Sequence, residues 1–285
     1  MNGNRNKRKL QSAFFKGLMI VSTMIIAGSL VMILWTITAK GMHSLNWDMV
    51  SKIPEGGFYI GKGGGLLNAI MGSVYITIGA TLLGLLISIP IVLYINIYAR
   101  KDSWLATITR FTFDVLFGIP SIVYGAFGFT IMVWFGLRAS LLAGIITVTL
   151  VIIPILARAM DEVVRRVPGE LSDATYSLGA TRWETSNIFL RQSLPGIMTA
   201  VLLSSGRAIG DAASVLFTAG YTDSLPGSLG QPAATLPLAI FFQLSSPIKE
   251  VQDRAYAAAL ILTIIVLIIS LGAKYFSKKL SRNKI

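Results

Sequence analysis

The sequence predicts an all-α polytopic membrane protein with six transmembrane helices. Three observations carry this: an apolar composition, six runs long enough to cross a bilayer, and an uneven placement of basic residues. Of 285 residues, 54% are hydrophobic and 13% charged, whereas soluble domains carry about 25% charged residues. A span needs about 20 apolar residues, and runs of that kind lie near 14–38, 67–98, 111–136, 140–157, 195–219 and 254–275. With both ends of the chain cytoplasmic, the inner segments 1–16, 99–110, 158–194 and 274–285 hold five, three, five and five of the 25 Lys and Arg. That is the bias expected of cytoplasmic loops. The net charge of +12 therefore reflects topology, and it does not call for nucleic acid as a partner. Membrane lipid is the partner that this composition requires.

Each element has its own local reason. Residues 1–13 read as a cytoplasmic basic tail without a fold of its own, and 14–38 as the first span. The first apolar run is longer than the roughly 7–15 residues of a signal-peptide core, so it is expected to remain as a helix. Residues 39–66 form an outer loop ending in GKGGG. Within it, GGFYIGKG (56–63) matches the start of a nucleotide-binding loop but lacks the Ser or Thr that would hold magnesium. Residues 67–275 form one membrane core. Pro90 and Pro120 fall inside spans, where neighbouring helices can satisfy the freed backbone groups. Beyond the fifth span, LPLAIFFQLS (236–245) is too short to cross and reads as re-entrant or interfacial. Residues 276–285 form a second basic tail.

The inner loop 158–194 carries the clearest grammar. Ser172 can cap a short helix, with Leu171, Ala174 and Leu178 on one face. Gly179 suits a left-handed position after the helix. Thr181 and Glu184 then form a capping box that starts the next helix. The resulting hairpin serves equally well as a connector on the headgroups or as a docking surface for a cytoplasmic protein.

Chemistry is sparse. There is no cysteine and a single histidine, His43, so thiolate metal sites and the two-histidine metalloprotease motif are excluded. No G-x-S-x-G elbow occurs. Neither a catalytic set nor a metal site is expected. Asp114 reads as an interfacial carboxylate beside Arg110, four residues earlier. Arg158 ends the run VTLVIIPILAR and reads either as a snorkelling boundary residue or as an anion contact at the inner mouth of a pathway.

Arg207 is the one basic residue that topology leaves over. It stands in GRAIGDAAS, four residues before Asp211. A charge at the centre of a span costs about 2.5–3.5 kcal/mol on the translocon scale, and such charges usually face a cavity. The i, i+4 spacing predicts a pair on one helical face. Arginine's planar fork of donors suits an oxyanion, and small neighbours from Ser204 to Ser214 leave room for it.

SDATYSLGATRWE (172–184) resembles the EAA loop of ABC importer permeases, with Asp173, Ala174, Thr175 and Gly179 at the motif positions. GIPSIVYGAFG (118–128) and GIMTAVLLSSGRAIGDAASVLFTAG (196–220) resemble the phosphate importer permeases, and LPLAIFFQLSSP (236–247) resembles their PstA-type branch. The resemblance implies a type I ABC importer permease fold in a bacterial inner membrane, with the 158–194 loop as coupling helix. It further implies a heterodimer with a PstC-like permease, two copies of a PstB-like ATPase, and a PstS-like phosphate-binding protein. No cofactor would sit on this chain, since ATP and Mg would be bound by the partner ATPases. By the same resemblance Arg207, Asp211 and Arg158 would line the substrate pathway, while Asp173, Ala174, Leu178 and Gly179 would dock the ATPase. Asp173 and Asp211 stand where the family more often has Glu, and Thr175 where it has Ala. A permease for a sulfate-like oxyanion, or an anion channel or secondary transporter, are the alternative readings.

Overall fold

A computed structural model of the chain describes residues 2–55, 64–99 and 103–281. These residues form helices α1 (Asn2–Ser44), α2 (Trp47–Ser51), α3 (Leu67–Leu93), α4 (Trp104–Gly118) and α5 (Ser121–Trp134). There follow α6 (Leu141–Arg165), α7 (Gly169–Ser177), α8 (Arg182–Gly210), α9 (Leu236–Leu244) and α10 (Lys249–Ser281). Five are long and apolar enough to cross a membrane, namely α1, α3 with its extension to Tyr98, α6, α8 and α10. The bent pair α4–α5 supplies a sixth. Among the described residues the fold is the helical, multi-span one that the apolar runs predict, without a strand, and the chain is a membrane protein. The segment 56–63, with its nucleotide-loop look-alike, lies outside the described residues.

Helix α6 is the centre. Leu141, Ile145, Val148, Ile152, Leu156 and Met160 recur at helical spacing and are all buried, against α3 on one side and α8 on another. Lipid tails are as apolar as these side chains, so association rests on close packing more than on escape from water. Small residues on α3 make that packing possible: a Cβ at Gly84 would lie 3.3 Å from Ile152. Helix α10 packs against α8, α9 and α1, while α4 and α5 pack on α6. The short helix α9, expected as a re-entrant or interfacial piece, has Leu236, Pro237, Leu238 and Ala239 buried.

Five of the six spans differ from their predicted extent: the first and sixth run on to Asn2–Ser44 and Lys249–Ser281, into segments read as tails and outer loop, and the third, fourth and fifth differ too. The third, expected as one helix over 111–136, is broken at Ile119–Pro120 and bent by 98°. Pro120 has no N–H to give, and it holds Ile119 in extended backbone. The Tyr124 hydroxyl, reaching back across the break, donates to the Leu116 carbonyl at 2.9 Å. The fourth, expected to end at 157, continues to Arg165, so Arg158 sits inside a helix and not at its boundary. The fifth, expected over 195–219, is a longer helix that starts at Arg182 and stops at Gly210. Residues 2–13, read as a tail without a fold, continue α1.

Candidate functional site

The end of α8 determines where Arg207 and Asp211 go. Asp211 is the residue at which the helix stops, with extended backbone. Its Oδ1 accepts from the Ala213 N–H at 3.1 Å, the Ser214 N–H at 3.4 Å and the Ser121 hydroxyl at 3.1 Å. An aspartate that bonds the backbone two and three residues on offers the chain an alternative to continuing the helix. The expected i, i+4 pair is therefore absent. Asp211 turns inward to the first residue of α5, while Arg207 is exposed on the last turn of α8 and has no ion-pair partner among the described residues. The other oxygen of Asp211 is buried without a hydrogen bond, as is the Thr77 hydroxyl. Both residues line a void of about 10 Å³ with Ser73 and Thr235.

Arg158 lies elsewhere. It forms an ion pair with Asp114, both side chains being about half exposed at 54% and 53%. This corrects the expected pairing of Asp114 with Arg110, which instead bonds Asp161 through Nε at 2.9 Å. The swap follows from α4 packing against α6, which offers each α4 charge an opposite charge across the interface. The four residues line a groove of about 410 Å³ together with Arg165 and Arg166. Arg207 is about 37 Å along α8 from its first residue, whereas Arg158 is within about 11 Å of the end of α6 that leads into the hairpin. The groove beside Arg158 does not include Arg207.

The hairpin forms largely as its local signals direct. Gly179 has φ +82°, a left-handed value that side-chain-bearing residues rarely adopt. The Gly179 N–H donates to Tyr176 O and the Ala180 N–H to Thr175 O. The Thr181–Glu184 capping box is complete. Ser172, however, is inside α7, which begins at Gly169 behind Pro168. The apolar face also divides: Leu171 packs on the core cluster that includes Val164 and Phe189, but Leu178 is 88% exposed and Trp183 72% exposed. Asp173 and Ala174 are exposed beside them. Thr175 is buried, its hydroxyl 3.3 Å from that of Thr185, so this departure from the motif ties α7 to α8.

The sequence reading passed over Asn96 and Asp161. Asp161 is buried and three residues beyond Arg158, in a stretch read as loop. Its acidic side chain at the end of an apolar helix was the available signal. Among the described residues no group of three or more His, Cys, Asp or Glu is placed to hold a metal ion.

Comparison with known proteins adds to this geometry. The family described as "Binding-protein-dependent transport system inner membrane component" matches residues 80–282. The "Phosphate transport system permease protein PstA" of Yersinia pestis is 36% identical over 252 residues, 88% of this chain and 84% of that protein. The protein of the same description from Haemophilus influenzae is 33% identical, over 94% of each chain. Among solved structures, an inward-facing form of the MetNI methionine ABC transporter superposes with TM-score 0.61 at 18% identity, covering 75% of this chain and 95% of that one.

Proposed function

Since the chain belongs to the family of binding-protein-dependent transport system inner membrane components, we propose that it is the PstA-type permease subunit of an ATP-driven importer of inorganic phosphate. The observation that carries the proposal beyond the family is Arg207. A guanidinium at the end of a membrane helix, without a counter-ion among the described residues of its own subunit, is costly unless it faces water, an anion or a partner subunit. Identity of 36% and 33% over 88% and 94% of this chain to proteins described as phosphate transport permeases supports phosphate as that anion.

In this reading Arg207 meets the anion in the central cavity between this chain and a PstC-like permease. Its planar donors can hold two phosphate oxygens at once. Arg158, held by Asp114 at the hairpin end, is the second contact on the way out. Asp211 does not neutralise Arg207, and it fixes the turn beside it. Both ends of the chain and the hairpin lie on the cytoplasmic side. There Leu178 and Trp183, supported by Asp173, Ala174 and the Gly179 turn, dock one of two PstB-like ATPases, which bind ATP and Mg. Closure of the ATPases moves the hairpin, and the cavity alternates between a PstS-like binding protein outside and the cytoplasm. Hydrolysis belongs to those partners, and this subunit supplies the path.

Uptake of radiolabelled phosphate and of sulfate, in cells lacking other importers of either, tests the proposal. Phosphate uptake that depends on this chain, and falls at least tenfold in Arg207→Gln while the complex still assembles, is the expected result, since one charge-assisted contact is worth about 1.5–3 kcal/mol. Sulfate uptake in its place, or phosphate uptake unaltered in Arg207→Gln, would overturn it.

A further inference from the structure

Helix α3 does not end as an ordinary α-helix. After Leu93 the chain makes one wider π turn over Tyr94–Tyr98, closed by the Ala99 N–H on the Tyr94 carbonyl at 2.9 Å. Such turns are rare and tend to mark functional sites. Asn96 lies within the turn, and its side chain anchors it twice: Nδ2 donates to the Val92 carbonyl at 2.8 Å and to Asp161 Oδ1 at 2.7 Å.

Asp161 is the middle of a closed triangle. Arg110 of α4 donates to it through Nε at 2.9 Å and Nη2 at 3.2 Å, and Nη2 also reaches Asn96 Oδ1 at 3.3 Å. The Asp161 side chain is 9% exposed and that of Arg110 28%. Buried ion pairs are often no more stabilising than apolar packing, so one whose carboxylate is bonded at both oxygens by side chains of two other elements points to geometry as its purpose. Three elements meet here: α4, α6 and the π turn.

The triangle has a neighbour on each side. On one side, Arg182 is the first residue of α8, three residues after Gly179. Its Nη1 donates to the Tyr98 carbonyl at 3.4 Å, and its guanidinium lies over the Tyr98 ring at 6.0 Å. On the other side, Asp114 is one helical turn from Arg110 and Arg158 is three residues from Asp161, and these two form the second ion pair between α4 and α6.

We infer that Asn96, Asp161 and Arg110 are positioning residues that carry movement of the hairpin, received at Tyr98 from Arg182, to the Arg158–Asp114 pair. This rests on the importer reading above. The triangle locks the π turn to the α4–α6 interface, so a displacement of Arg182 cannot be absorbed at the end of α3. It shifts the register of α4 on α6, which is what holds or releases Arg158.

The test uses the complete importer, with both permeases, both ATPases and the binding protein, reconstituted in liposomes. The quantity read is anion imported per ATP hydrolysed. Asn96→Ala and Arg182→Gln leave both α4–α6 ion pairs intact, and each should lower that ratio about tenfold while hydrolysis continues, a size within the usual range of coupling between sites. Asp161→Asn should do the same, and the exchange Arg110→Asp with Asp161→Arg should recover part of the ratio. An unchanged ratio in Asn96→Ala and Arg182→Gln, or a parallel loss of uptake and hydrolysis in assembled complexes, would overturn the inference. The unmutated importer identifies its own anion. If that is sulfate, the phosphate reading fails while the ratio remains readable with sulfate.

Discussion

The separation of Arg207 from Asp211 can be tested quantitatively. Asp211→Ala removes the acceptor for the Ala213 and Ser214 N–H groups and for the Ser121 hydroxyl. Loss of a capping side chain costs about 0.5–2 kcal/mol, and a buried donor left unpaired costs about 1–3 kcal/mol. Ser214 is buried and Ala213 only partly so, which places the total near 2–3 kcal/mol. If that loss falls on the folded state alone, the purified subunit should inactivate on heating roughly 30- to 150-fold faster. Asp211→Asn keeps an oxygen at the Oδ1 position and gives the second atom hydrogens to donate towards Thr77, whose hydroxyl lacks a partner. That change should cost under about 1 kcal/mol. The decisive measurement is the double-mutant cycle of Arg207→Gln with Asp211→Asn, read as inactivation rate and as uptake. The two residues make no bond to each other, so the interaction energy should be within about 0.5 kcal/mol of zero. A coupling above about 1 kcal/mol, or recovery of uptake in the double variant, would refute the separation.

Two further outcomes follow from the geometry. Gly179→Val should strain the hairpin by about 1–2 kcal/mol through its left-handed backbone alone, since nothing lies within 4 Å of the added Cβ; co-purification with the ATPase should fall, and Gly179→Asn should retain more of it. Tyr124→Phe should leave the Leu116 carbonyl with the Ile119 N–H as its remaining donor and lower the thermal stability of the subunit by about 0.5–1.5 kcal/mol, and no change on heating would show that the hydroxyl adds nothing to the hold across the break.

Local signals were legible wherever local bonds decide the structure. The Gly179 turn and the Thr181–Glu184 box need only residues within a few positions of each other, and both form as their spacing indicates. Hydropathy placed six spans because burial in lipid depends on composition. It failed at residues 211–219, where DAASVLFTA is apolar enough to extend a span, yet the Asp211 carboxylate redirects the backbone. Pro120 was visible, but whether a proline bends or breaks a span depends on what receives the freed carbonyls, here Tyr124. The partners of Arg110 and Arg158 come from a different helix, and a single sequence does not show which helix face meets which. Leu178 shares a predicted helical face with Leu171, yet only Leu171 packs on the core and Leu178 is left exposed, a division that helical spacing alone does not show.

The break between α4 and α5 has an electrostatic consequence at the depth of the two charges. Ser121, which bonds Asp211, is the first residue of α5, so the carboxylate faces a helix N-terminus with its fractional positive charge. Arg207 stands in the last turn of α8, at the fractionally negative end of that helix. Each such placement is worth about 0.3–1 kcal/mol at a surface and up to about 2 kcal/mol when partly buried. The two side chains are thus compensated by backbone dipoles and not by each other. In the pathway proposed above, an anion could therefore meet Arg207 and leave it without breaking an ion pair to Asp211.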